Sequence, residues 1–205
     1  MFYRRLASLS LVAILGACGG DTGPASDAGP PGTDGSALAG GAQTVTAQTE
    51  RGPVLGRAVG GGVLAFRGIP FAAPPLGALR FAPPAPHDAW MEPLDATGDG
   101  TQCFQREMLT NTLAGEEDCL HVNVWTPSLV GSRPVMVWIH GGGFVSGSGS
   151  DALVDSWRVA SEGDVVVVAL NYRLGAFGFL AHSSLAGAGE ANGNWGVLDQ
   201  QAAVR

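Results

Sequence analysis

One run in this chain combines residue types at a spacing that can do chemistry together: His140-Gly141-Gly142-Gly143-Phe144, followed after Val145 by the small-residue run SGSGS. Consecutive glycines have no Cβ, so their amides can turn toward one point with no side chain in the way. Two chemistries use such a loop. A phosphate cradle also calls for a Lys followed by Ser or Thr at the opening of a helix, and this chain has no Lys at all. An oxyanion hole needs only backbone N–H groups aimed at the place where negative charge develops on a carbonyl oxygen. The run therefore reads as an oxyanion loop, and the place of His140 at a strand end suits a role in orienting it. The strand before it and the aromatic after it argue against a glycine turn without a role.

The elements that must hold this loop follow from hydrophobic patterning. Val135 to Ile139 and Val165 to Leu170 are nearly continuous apolar runs, as expected of central parallel strands covered by helices on both sides. Between them Leu153, Val154, Trp157 and Ala160 recur at helical spacing over Leu153 to Glu162, so strand, helix, strand forms a crossover unit. Upstream, Cys119 to Trp125 alternates Leu120, Val122 and Val124 against His121, Asn123 and Trp125, the pattern of a strand with one buried face. Thr44 to Gln48, Gly52 to Arg57 and Val63 to Arg67 read as strands, with Gly60-Gly61-Gly62 as the turn between the last two. The Pro-rich stretch from Gly68 to Trp90 lacks the backbone donors for regular structure and is expected to wrap the surface irregularly. An antiparallel start feeding a parallel centre means a mixed sheet.

Composition bounds the rest. The chain has 205 residues, 45% of them hydrophobic, and a net charge of −7, enough for one core. The eleven basic residues, all Arg, form no patch that could track phosphates, so nucleic acid is not expected. Arg4 and Arg5 precede an apolar run from Leu6 to Ala17 that is too short to span a bilayer and suits an export signal. It ends in Leu15-Gly16-Ala17-Cys18, which resembles a bacterial lipobox, so residues 1–17 are expected to be a lipoprotein signal peptide and Cys18 the lipid attachment site. Residues 18–43 are Gly, Pro, Ser and Asp-rich and read as a flexible tether. The expected location is the bacterial cell envelope, periplasmic or anchored in the outer membrane, or secretion if Cys18 is not lipidated.

Residues 44–205 resemble the type-B carboxylesterase family, which includes the cholinesterases. The resemblance rests on FRGIPFAAPPLGALRF, EEDCLHVNVWTP, PVMVWIHGGGFVSGSGS, VVVVALNYRLGAFGFLA and GNWGVLDQQAAVR, in order and at plausible spacing. HGGG is also the form this loop takes in lipases and esterases. The resemblance implies an α/β-hydrolase fold with a mixed, mostly parallel central sheet and an antiparallel N-terminal start, incomplete in this chain. It implies hydrolysis of a small-molecule carboxylic ester without cofactor or metal. The amides of Gly142 and Gly143 would hold the oxyanion, Gly141 would give the loop its turn, and Phe144 would line the substrate pocket.

The family's nucleophile is a Ser on a GxSxG elbow, followed in the chain by an acid and a His. No GxSxG occurs here. Ser146, Ser148 and Ser150 sit on the glycine loop without an elbow, and His87, His121 and His182 have no matched acid, so none is given a catalytic role. The chain therefore reads as the N-terminal part of an esterase whose nucleophile lies beyond Arg205; a short non-catalytic product and a binding or adhesion relative are the alternatives. The resemblance also implies a disulfide between Cys103 and Cys119 and structural ion pairs Arg80–Glu117 and Arg173–Asp199. Cholinesterases carry a Trp between these cysteines that receives a quaternary ammonium. Phe104 to Asp118 contains none, so a neutral ester is expected in place of a choline ester.

Overall fold

Among the described residues the strands are β1 (Thr44–Gln48), β2 (Pro53–Ala58), β3 (Leu64–Pro70), β4 (Leu94–Asp95), β5 (Gln105–Arg106), β6 (Leu113–Ala114), β7 (His121–Thr126), β8 (Val135–Ile139) and β9 (Val166–Leu170). The helices are α1 (Ser156–Gly163), α2 (Gly175–Phe179) and α3 (Trp195–Ala203). The structure is a computed structural model that describes residues 43–108, 110–151, 156–185 and 193–205. The expected signal peptide, Cys18 and all of the tether but Gln43 lie outside the described residues, as do Leu153 and Val154 of the expected helix.

The main sheet has the order β1-β2-β3-β7-β9-β8, with β4 parallel to β2. β1, β2, β3, β7 and β9 pair antiparallel in succession, and β9 pairs parallel with β8. The sheet is mixed, as expected, but antiparallel pairing predominates in this stretch. The reason is topological: parallel neighbours need a crossover connection, and the described residues hold two parallel pairs, β8 with β9 across α1 and the short β2 with β4. The turn between β2 and β3 is the Gly60–Gly62 3-10 turn, and Trp157 of α1 packs over it so closely that a Cβ on Gly60 would come within 2.9 Å of the indole.

The core forms three clusters. Val63, Ala160 and Val167 join α1 to the sheet, while Val54, Phe66 and Ala96 fill the start of the sheet. The third, Ala72, Cys103, Cys119, Leu120, Leu170, Tyr172 and Leu174, underlies the glycine loop. Leu170 is wholly buried, and a buried Leu contributes about 1.5–3 kcal/mol, so this end of β9 is firmly set. Two burial expectations need correction. β7 is covered on both faces, with Asn123 and Thr126 buried, because Asn123 reaches the glycine loop. β8 is not covered on both sides: Val135 is 54% and Ile139 46% exposed, because among the described residues β9 is its only ladder partner.

Candidate active site

Strand register places the loop. Ile139 pairs with Leu170, so the next residues outward, His140 on one strand and Asn171-Tyr172 on the other, leave the sheet side by side. The imidazole of His140 stacks on Tyr172 with ring centroids 4.4 Å apart, and the Tyr172 hydroxyl donates to His140 O at 3.1 Å. His140 Nδ1–H donates to Gly141 O at 2.8 Å. Burial lowers the pKa of His140, opposed by that bond and by Asp151, so the ring stays neutral where an exposed histidine begins to charge.

The chain then turns at Gly142 (φ 113°), Gly143 (φ 60°) and Phe144 (φ 64°). Gly141 does not have a positive φ and nothing lies within 4 Å of where its Cβ would be, so the turn expected of Gly141 belongs to its successors. At Gly142 glycine is required twice over, by φ and because a Cβ would lie 1.9 Å from Ser146 O. Gly142 O accepts from Val145 and Ser146 N, and Phe144 O accepts from Gly175 N at 2.7 Å. The N–H groups of Gly142 and Gly143 have no acceptor among the described residues, and Gly143 is exposed. Phe144 is 53% exposed and packs at a tilt on Phe179 with 4.9 Å between centroids.

Three amide side chains fasten the remainder of the loop, and none was singled out from sequence. Asn171 Oδ1 accepts from Gly149 N at 2.8 Å while its Nδ2 donates to Thr101 O at 3.0 Å. Asn123 Nδ2 donates to Gly149 O at 3.2 Å and Ser150 Oγ at 2.9 Å, and its Oδ1 accepts from Gly68 N at 2.7 Å. Gln105 bonds both polar groups of the Gly147 peptide unit's residue, N at 2.7 Å and O at 3.0 Å. The Asn at position 123, between two valines of β7, is the one sequence signal that could have pointed here.

The pairs implied by family resemblance are present. Cys103 and Cys119 are disulfide-bonded. Arg80 makes a two-pronged bond to Glu117, Nε–Oε2 at 2.5 Å and Nη2–Oε1 at 2.8 Å, at a partly exposed site. Arg173 and Asp199 are buried, bonded Nε–Oδ2 and Nη2–Oδ1 at 2.8 Å each, with Arg173 also donating to the carbonyls of Leu79, Arg80 and Ala82. This pair ties α3 to the Pro-rich wrap.

The structure assembles no nucleophile with these residues. The hydroxyls of Ser146 and Ser148 lie 3.4 Å from Gly142 O and Asn171 Oδ1, inside the loop, and Ser150 Oγ is taken by Asn123. His87 Nδ1 lies 2.8 Å from the neighbouring Asp88 O. His182 meets Ser184 Oγ at 2.7 Å, an exposed contact two residues apart in a turn. Burial is also the leading cause of a lowered pKa at His121. No group of three or more potential metal ligands occurs among the described residues.

The family model described as Carboxylesterase family matches residues 42–205. A para-nitrobenzyl esterase of Bacillus subtilis is 46% identical over 164 residues, covering 77% of this chain and 33% of that protein. A fumonisin B1 esterase of Sphingopyxis macrogoltabida is 44% identical over 164 residues, covering 77% and 30%. A solved carboxylesterase of Geobacillus stearothermophilus superposes with a TM-score of 0.70 at 42% identity, covering 78% of this chain and 33% of that one. The chain thus spans about a third of the length of these relatives. With the family model matching nearly all the residues after the tether and solved esterases sharing its α/β-hydrolase arrangement, the chain belongs to the carboxylesterase family.

Proposed function

We propose that this chain supplies the oxyanion-hole loop of a serine hydrolase acting on carboxylic esters. The observation that carries the reading is the pair of unspent amides: Gly142 and Gly143 present N–H groups that have no acceptor among the described residues, at a turn closed by the bonds of Val145 and Ser146 N to Gly142 O. When a nucleophile adds to an ester carbonyl, the C=O π electrons move to oxygen, and donors already fixed in place stabilise that charge without reorganising. The neutral His140 beneath the turn places no positive charge of its own there and acts by orientation. The nucleophilic Ser, its acid and its His come from outside these residues, so this chain alone is inactive.

An apolar groove of about 270 Å³, lined by Phe104, Val145, Leu174 and Phe177 together with Gln105 and Arg106, runs beside the loop and suits an uncharged substrate. With no Trp between Cys103 and Cys119, a neutral ester fits better than a choline ester. The test is hydrolysis of p-nitrophenyl acetate by residues 1–205 and by the form extended through the downstream coding sequence. Activity in the extended form alone is expected. Activity in the short form would mean that a nucleophile lies among these residues, against the assignment.

The leader supports a location as well. The Leu15-Gly16-Ala17-Cys18 tetrapeptide and the polar tether favour export and lipid attachment at Cys18. Incorporation of labelled palmitate that persists in a Cys18→Ser variant would remove this proposal.

A further inference from the structure

Gln105 is a buried side chain that the chemistry above leaves unused. It lies on β5, inside the segment closed by the Cys103–Cys119 disulfide, and is 7% exposed. Its Oε1 accepts from Gly147 N at 2.7 Å, and its Nε2 donates to Gly147 O and to Cys103 O at 3.0 Å each. One side chain therefore takes both backbone groups of a residue 42 positions away, as a sheet neighbour would. Such a two-point contact fixes direction as well as distance.

What Gly147 touches gives this contact its significance. Gly147 sits at φ 112°, and a Cβ there would meet His140 Nδ1 at 2.3 Å and Gly141 O at 2.5 Å. The residue before it, Ser146, has its carbonyl against Gly142. The outgoing leg of the loop is thus in backbone contact with the incoming leg, and displacement of Gly147 must displace His140 to Gly142. Closely packed backbone transmits such shifts because it has no void to absorb them.

We propose that Gln105 is a positioning residue: by holding Gly147 it sets the direction of the Gly142 and Gly143 amides and couples the disulfide-closed segment to the carbonyl-binding point. The inference rests on the ester-hydrolase reading. Gln105 borders the groove, but its amide atoms are taken by Gly147 and Cys103, and it moves no proton. Loss of its contacts lowers kcat more than it raises KM, because the oxyanion exists in the transition state and not in the bound ester.

Two variants and two measurements test it. In the form that hydrolyses p-nitrophenyl acetate, Gln105→Leu is expected to lower kcat by about 10- to 100-fold with KM within about threefold, since a misplacement near 1 Å costs up to about 10²-fold. Gln105→Glu keeps size but loses the donor when ionised. Protonation returns one O–H, so the ratio of its kcat to the parent's is expected to rise as pH falls. The second measurement is amide exchange of peptides covering residues 140–149 in the 205-residue chain, expected to quicken at least about tenfold in both variants at neutral pH while β1 to β3 hold. A kcat within twofold of the parent, a loss confined to KM, a flat ratio with pH or unchanged exchange each overturns the proposal. If the parent protein shows no esterase activity, the hydrolase reading falls and takes the catalytic half with it; exchange still reports on the clamp itself.

Discussion

Gly142 and Gly143 are adjacent, both unpaired at the amide, and both at positive φ, yet alanine should affect them very differently. At Gly143 (φ 60°) nothing lies within 4 Å of an added Cβ, so Gly143→Ala meets only the left-handed backbone penalty, about 1–2 kcal/mol, and keeps its N–H in place. At Gly142 the added carbon would lie 1.9 Å from Ser146 O and 2.6 Å from its carbonyl carbon, against an ordinary contact of 3.4 Å or more, so the two legs must part by roughly 1.5 Å. That movement removes the Gly142 amide from its place. Loss of one oxyanion donor costs about 10²- to 10³-fold in kcat. The expectation for kcat toward p-nitrophenyl acetate in the extended protein is therefore a loss of about 10²-fold or more for Gly142→Ala and about tenfold or less for Gly143→Ala. Thermal unfolding measured alongside separates loss of fold from loss of donor. If Gly142→Ala stays within tenfold of the parent while folded, or if Gly143→Ala is the worse of the two, the assignment of these amides as the oxyanion donors is refuted.

Further outcomes follow from the same contacts. Asp199→Ala strands the buried Arg173 guanidinium and should destabilise the chain by about 3–5 kcal/mol in urea unfolding, whereas Glu117→Ala, whose partner Arg80 is well exposed, should shift the midpoint little and less still in high salt. Reducing the Cys103–Cys119 bond, which closes a loop with a sequence separation of 16, should cost about 3 kcal/mol, read as a lower urea midpoint in dithiothreitol. Burial lowers the pKa of His121 and His140, so on acidification the unfolded chain takes up protons below about pH 6.5 before the folded chain does. Stability should be full above that value and fall as pH drops toward the lowered pKa values; a midpoint that holds or rises between pH 7 and 5.5 in both the parent and a His140→Gln variant would contradict this.

How much of this was legible in the chain depended on range. β1 and β8 fall where their patterns place them, and the glycine run was recognisable because a triple glycine after an apolar strand is a local signal. The disulfide and both ion pairs came through family resemblance alone, since nothing in spacing says which Arg meets which acid. The covering of β8 was misjudged because an apolar run reports what a strand is suited to, not which neighbours the described residues supply. Gly141 was given the turn because three consecutive glycines look alike in sequence; only the contact between Gly142 and Ser146 O distinguishes them. Asn123, Asn171 and Gln105 were missed for the opposite reason. Asn123 stands where alternation reads polar as solvent-facing, Gln105 and Asn171 stand outside any alternating run, and all three have backbone partners between 22 and 70 residues away.

Those three amides also account for how the loop can exist. A backbone N–H without an acceptor is unfavourable when removed from water, and a turn through several left-handed residues adds strain. Glycine takes a positive φ without strain and Gly143 is exposed, so the strain falls on Phe144 (φ 64°), and catalysis of the proposed kind requires that the Gly142 and Gly143 amides stay unpaired until an oxyanion forms. The surrounding structure must therefore fix the loop while leaving those two amides without partners. It does so from three separate elements: Gln105 of β5 on Gly147, Asn171 after β9 on Gly149 N, and Asn123 of β7 on Gly149 O. Because each anchor hangs on a different strand, loss of one leaves the loop held by two. Single substitutions should then loosen it in graded steps, and the pair Gln105→Leu with Asn171→Ala should cost more activity than the two single losses combined.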